Sequence, residues 1–174
     1  MQASVSGAHI KEEAMKLKKT CEMLAMLVVF TGAVSLFAQV TPDSHIYAQK
    51  LVDETIAKHP ELRQIGLHTT PPNSSQSVII AINDKKKIGK KSDPDDLEVM
   101  KTGKPSAELM EKKGIYDLGF PLLDQSGTII GTAVMEIKLT AENTKEGAMN
   151  RGKIIQEELR KRIPSKEKLF ETVE

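Results

Sequence analysis

The stretch from Ser106 to Leu139, SAELMEKKGIYDLGFPLLDQSGTIIGTAVMEIKL, decides how this chain folds. Three apolar segments, 106–111, 115–123 and 128–139, are separated by two short polar links, Lys112-Lys113-Gly114 and Asp124-Gln125-Ser126-Gly127. Links this short join antiparallel strands, because a parallel return needs a crossover of a dozen or more residues. The second is a compact hairpin turn. Three strands therefore follow one another, and the rest of the chain must cover the sheet they begin.

Upstream, Ser92-Asp93-Pro94-Asp95-Asp96 opens a short helix that runs to about Met100 and is stopped by Thr102-Gly103. Asp93 suits the N-cap, Pro94 the first helical position, and Asp95 and Asp96 the first turn, where free backbone amides favour negative charge. Before it lies the polar link Lys85 to Lys91, and before that Val78-Ile79-Ile80-Ala81-Ile82, apolar on both alternating faces as expected of a strand buried inside a sheet. Pro71-Pro72-Asn73-Ser74-Ser75 forms a loop, and Leu62 to Thr69 reads as the neighbouring strand. From His45 to His59, Ala48, Leu51, Val52, Thr55 and Ile56 recur at helical spacing, and the helix ends at His59-Pro60 because a residue before proline avoids the helical region. Downstream, Ala148, Gly152, Ile155, Leu159 and Ile163 mark one face of a last helix over residues 145–163, within a segment 141–163, before Pro164 and a polar tail, 164–174.

The N-terminal 38 residues read as a secretory signal peptide: Lys16, Lys18 and Lys19 precede an apolar run from Met23 to Ala38. At about 16 residues, diluted by Thr31, Gly32 and Ser35, that run is short of the ~20 a spanning helix needs. Cleavage is expected after Ala38, leaving a leader over 39–44, and Met15-Lys16-Leu17-Lys18-Lys19 offers an alternative start. Cys21 leaves with the signal, so the exported domain has no disulfide, thiol nucleophile or thiolate ligand. It has no lipid-modified cysteine and no stable membrane span after cleavage. The expected location is the bacterial periplasm or the exterior.

With 174 residues, 39% of them hydrophobic, one folded domain fits, and disorder is excluded. A net charge of +1, from 25 basic and 24 acidic side chains, gives no general attraction to nucleic acid or anionic lipid. Motifs for catalysis are missing. Gly89-Lys90-Lys91-Ser92 lacks the early glycine of a phosphate loop, where Asp84 stands, and has Lys91 where Ser or Thr must follow the lysine. There is no GxSxG elbow, no HExxH helix, and no calcium loop at Asp93-Pro94-Asp95-Asp96. The adjacent acids Asp95 with Asp96, and Glu157 with Glu158, point different ways on their helices. No catalytic residue, metal ligand or cofactor is expected.

The order helix, two strands, short helix, three strands, helix gives an α+β fold, an antiparallel sheet of about five strands with helices on one face. Two strands, a short helix and three strands is the arrangement of PAS-like sensor folds. The stretches Leu51-Val52-Asp53-Glu54-Thr55, His59-Pro60-Glu61-Leu62, Gly66-Leu67-His68-Thr69-Thr70-Pro71-Pro72, Ile79-Ile80-Ala81, Ile88-Gly89-Lys90-Lys91-Ser92-Asp93, and Phe120-Pro121-Leu122-Leu123-Asp124 through Gly127 and Ile130-Gly131 carry a closer likeness. Over residues 45–140 the chain resembles the exported single Cache (PAS-like) domains of bacteria. The resemblance implies a sensory module that binds a small molecule, with the ligand between the outer face of the sheet and the loop and short helix after the second strand. Carried onto this chain, that pocket draws on His68, Ile80, Asn83, Lys90, Tyr116 and Thr132.

Each of these has a plainer reading. His68 suits a hydrogen-bonded structural histidine, or a contact to an anion or metal. Tyr116 serves a ligand through its hydroxyl or the core through its ring. The lysines 85, 86, 87, 90 and 91 suit a solvated loop or an anionic partner, and His45 and His59 suit helix ends. The alternative to a sensor is a structural or protein-interaction domain of the cell envelope, in which Ile155 and Leu159 of the last helix dock a second copy or an envelope protein. A small hydrolase built on His68 is the third reading.

Overall fold

The computed structural model describes residues 45–140 and 144–173, so the expected signal peptide and the whole leader lie outside the described residues. The order of elements is helix α1 (Tyr47–Lys58), strands β1 (Leu62–Thr69) and β2 (Val78–Ile82), helix α2 (Pro94–Thr102), strands β3 (Ser106–Met110), β4 (Ile115–Leu123) and β5 (Ile129–Lys138), and helix α3 (Lys145–Arg160). The five strands form one antiparallel sheet in the order β2-β1-β5-β4-β3. This is the expected α+β class, with PAS-like element order. The β4–β5 hairpin closes through Asp124, whose carboxylate accepts from the Ser126 hydroxyl at 2.6 Å and from Ser126 and Thr128 amides at 2.9 and 3.0 Å. The Ser126 hydroxyl, aided by those amides, holds that carboxyl below its usual range.

Alternation along the strands divides the sheet into two unlike faces. On one, Ile65, Leu67, Leu118, Phe120, Leu122, Met135 and Ile137 form the core with Leu51 and Val52 of α1 and Ile155 and Leu159 of α3. The other carries Gln64, His68, Asp117, Gly119, Val134 and Glu136. Here α2 departs from the expected single helical layer. Val99 of α2 is buried above Gly119, where a Cβ would stand 2.6 Å from Ser106 Oγ and 3.1 Å from Val99 Cγ2. Only a residue without a side chain lets the helix lie that close to the sheet.

Strand β2 also differs from expectation. Its apolar run suggested an interior strand, yet it lies at the sheet edge. Its outer side is covered by the following loop, which returns alongside it: Ile79 N donates to Lys90 O and Gly89 N to Ile79 O, both at 2.8 Å. From α1, Gln49 reaches Ile82, receiving its amide at 3.2 Å and donating to its carbonyl at 3.2 Å. A covered edge has the same need for apolar side chains as an interior strand.

Two expectations for the C-terminal part are overturned. Ile155 and Leu159, the proposed docking face, are 0% and 1% exposed, filling the intramolecular core against β4 rather than facing a partner. The segment after α3 is not a free polar tail. Ile163 and Leu169 are fully buried, a 3-10 turn spans Glu167–Phe170, and Thr172 bridges to Ile46. Tyr47 N donates to Glu171 O at 2.8 Å and the Tyr47 hydroxyl to Arg162 O at 2.8 Å. The apolar pair Leu169 and Phe170 is hidden in sequence by the charges around it, and burial of so few side chains leaves no periodic signal.

The ends of α1 and α3 are tied by Glu158, which meets Lys58 Nζ at 2.8 Å and His59 Nε2 at 3.0 Å. The Lys58 hydrogen bond first, and His59 with it, hold the Glu158 carboxyl below its ordinary value. A carboxyl depressed in the folded state stabilises it above the unfolded value, near 4.3, and loses that contribution as pH falls through the folded one. Glu158→Gln is therefore expected to lower stability in urea unfolding at neutral pH, with the deficit shrinking in acid as pH falls below the unfolded value near 4.3. An equal deficit at neutral pH and in acid would remove charge pairing as the cause.

Candidate functional site

Between α2, the loop 83–93 and the non-core face of the sheet lies a cavity of about 720 Å³. Its walls mix the apolar side chains of Ile79, Ile82, Val99 and Val134 with a larger number of charged and polar ones. The floor is polar and follows the strand register. Gln64 pairs with Glu136, Glu136 with Asp117 and Asp117 with Glu108, so four side chains stand in one row across β1, β5, β4 and β3. Opposed like charges on neighbouring strands destabilise a sheet.

The row is unevenly balanced. Glu136, 6% exposed, is met by Arg63 Nε at 2.6 Å and, more weakly, by Gln64 Nε2 at 3.4 Å. Lys87 Nζ donates to Gln64 Oε1 at 2.6 Å. Asp117 is half-buried, and no described residue gives its carboxylate a hydrogen bond or an ion pair. Burial first, then the charge of Glu136, pushes the Asp117 carboxyl above its usual range, against a smaller opposing pull from Lys113. Among the described residues, no three His, Cys, Asp or Glu side chains are placed to share a metal ion.

Helix α2 roofs the cavity and is pinned through Asp96. Its carboxylate accepts the Asp93 amide at 3.1 Å, adding a reciprocal cap to the predicted N-cap residue Asp93, and lies 3.0 Å from His68 Nδ1. Its carbonyl accepts the Thr132 hydroxyl at 2.7 Å. Ser92 Oγ stands 3.3 Å from the same His68 nitrogen and 2.8 Å from Ser77 Oγ. A hydrolytic triad needs nucleophile and carboxylate on opposite nitrogens of the imidazole. In this protein both face Nδ1, an arrangement that holds a helix down rather than one that moves a proton between them. At its other end α2 stops at Gly103, whose φ of 69° closes the last turn.

Of the six residues expected to bind a ligand, His68 and Lys90 line the cavity. Thr132 is fully buried beside it and acts through α2. Asn83 stitches β1 to the end of β2, accepting from Ile65 N at 3.0 Å and donating to Arg63 O at 3.2 Å. Ile80 and Tyr116 belong to the core on the opposite face and do not reach the cavity. The period of two explains Tyr116: if Leu118 and Phe120 face the helices, Tyr116 does too, and Asp117 faces away. Sequence reasoning missed Asp117, Glu136 and Gln64. Their signal was a charge set between apolar neighbours inside a strand, as in Tyr116-Asp117-Leu118 and Met135-Glu136-Ile137.

No protein-family model and no curated protein matches this chain. Among solved structures it is similar to the C-terminal domain of the E. coli transcriptional regulator KdgR, at 12% identity over 68% of this chain and 99% of that one, with a TM-score of 0.43. It is similar to the Agobacterium tumefaciens repressor BlcR, at 12% identity over 70% of this chain and 69% of that one, with a TM-score of 0.45. A type II free methionine-R-sulfoxide reductase from Thermoplasma acidophilum shows 14% identity over 72% of this chain and 93% of that one, with a TM-score of 0.41.

Proposed function

We propose that this chain is an exported, non-catalytic PAS/Cache-like domain that binds a small molecule beneath α2 and passes the signal on by contact with another envelope protein. The observation that carries the reading is the cavity. Its volume of about 720 Å³ lies within the range of small-molecule sites, and its lining sets apolar side chains beside many ionisable ones, as a polar or charged ligand would require. It lies on the sheet face, under the short helix and loop, to which the Cache resemblance assigns the ligand. Export rests on the lysine-led apolar run ending at Ala38 and on the lack of cysteine beyond Cys21. Absence of catalysis rests on the missing motifs and on the one-sided contacts of His68.

A thermal-shift screen of the purified protein against organic acids, amino acids, amines and purines tests the reading. A ligand at about 100 times its dissociation constant adds roughly 2.7 kcal/mol of stability, a shift of several degrees. Val134→Phe sets a larger side chain on the cavity floor and should reduce that shift, while the free variant still unfolds cooperatively. A shift left unchanged by Val134→Phe would put the ligand elsewhere. The absence of any shift would favour a purely structural domain.

A further inference from the structure

Resting on that reading of the cavity, we infer that its ligand is a small organic cation, an amine or guanidinium group on an apolar body, with the charge held at Asp117 and Glu108. The sheet register supplies the geometry. Glu108, Asp117 and Glu136 stand side by side on β3, β4 and β5 along the floor of the cavity, with Glu108 at its exposed edge. Arg63 balances Glu136 alone. Asp117 looks into the cavity with neither a hydrogen bond nor an ion pair from any described residue, and a half-buried carboxylate flanked by two others calls for a counter-charge.

The cavity's own lysines do not provide it. Lys87, Lys90 and Lys91 come from the loop beside β2, at the far edge of the sheet, and Lys87 is already bonded to Gln64. Lys104, two residues before β3, is exposed and forms no ion pair with the row among the described residues. A bare metal ion fits poorly as well, since the carboxylates are spread along the row instead of converging, and the space is many times larger than an ion. An ammonium bonds both carboxylates through its three donors, and the rest of the molecule covers Val99, Val134 and Met110.

Isothermal titration calorimetry with hexylamine, hexanol, hexanoate and magnesium chloride separates the possibilities, because the three organic probes share a body and differ in charge. The expected result is binding of hexylamine at least tenfold tighter than hexanol or hexanoate. Asp117→Asn should weaken hexylamine at least tenfold and leave hexanol unchanged, and Glu108→Gln, at an exposed edge position, should weaken it less. Preference for hexanoate, tightest binding of magnesium, or equal hexylamine affinity in wild type and both variants overturns the cation assignment and leaves the cavity reading standing. Binding of none of the four also overturns it, and the Val134→Phe comparison then judges the cavity separately.

Discussion

Gly152→Ala is expected to destabilise the protein by about 1–3 kcal/mol, although alanine is the better helix former. A Cβ at this position of α3 would fall inside contact range of Phe120 Cε2, 2.9 Å from Cζ and 3.1 Å from Leu118 Cδ1. Phe120 is 2% exposed and surrounded by core, so its ring has nowhere to turn. Gly147→Ala in the first turn of the same helix is the control. Its Cβ would meet only Thr144 Oγ1, at an ordinary 3.5 Å, so that change is expected to be neutral or to stabilise by up to about 1 kcal/mol. Urea unfolding of the two variants reads the difference. Equal behaviour would mean that α3 does not pack on β4 as described.

Asp96→Ala should cost roughly 2–3 kcal/mol, because it removes a capping acceptor and leaves a buried histidine without its carboxylate. His68 is 6% exposed, so water replaces the lost partner poorly. The loss should be local as well as global. Amides of α2 are expected to exchange with solvent faster while those of β1 and β5 keep the protection set by global stability, and ligand binding should fail with the roof loosened. Asp95→Ala changes an exposed residue of the same turn and is expected to stay within about 0.5 kcal/mol of wild type. Unchanged exchange of α2 in Asp96→Ala would show that the helix is held by Val99 and Thr132 instead.

The site was legible in parts. Asp93-Pro94-Asp95-Asp96 announced the start of α2, and Gly103 its end, because capping is local chemistry. A cavity lies under this helix. Its lining was read less well. The Cache resemblance assigns Tyr116 and Ile80 to the pocket, and both lie in the core on the opposite face. Strand parity is a single binary choice, and where Ile115 to Leu122 is apolar on both faces, hydropathy does not make it. Asp117 breaks that monotony and would have made it correctly.

The sequence by itself determined the elements, their order and the antiparallel hairpins, since turns, caps and apolar runs act over a few residues. The boundaries of β1, β2 and β4 coincide with those expected from sequence. Only the tertiary structure decided that β2 lies at a covered edge, that α2 crosses to the opposite face, that Ile155 and Leu159 pack inward, and that Leu169 closes the core. It also set the register that aligns Glu108, Asp117 and Glu136. Each of these depends on which distant surface an apolar or charged group meets. Burial is shared between segments far apart in the chain, and no local pattern records the partner.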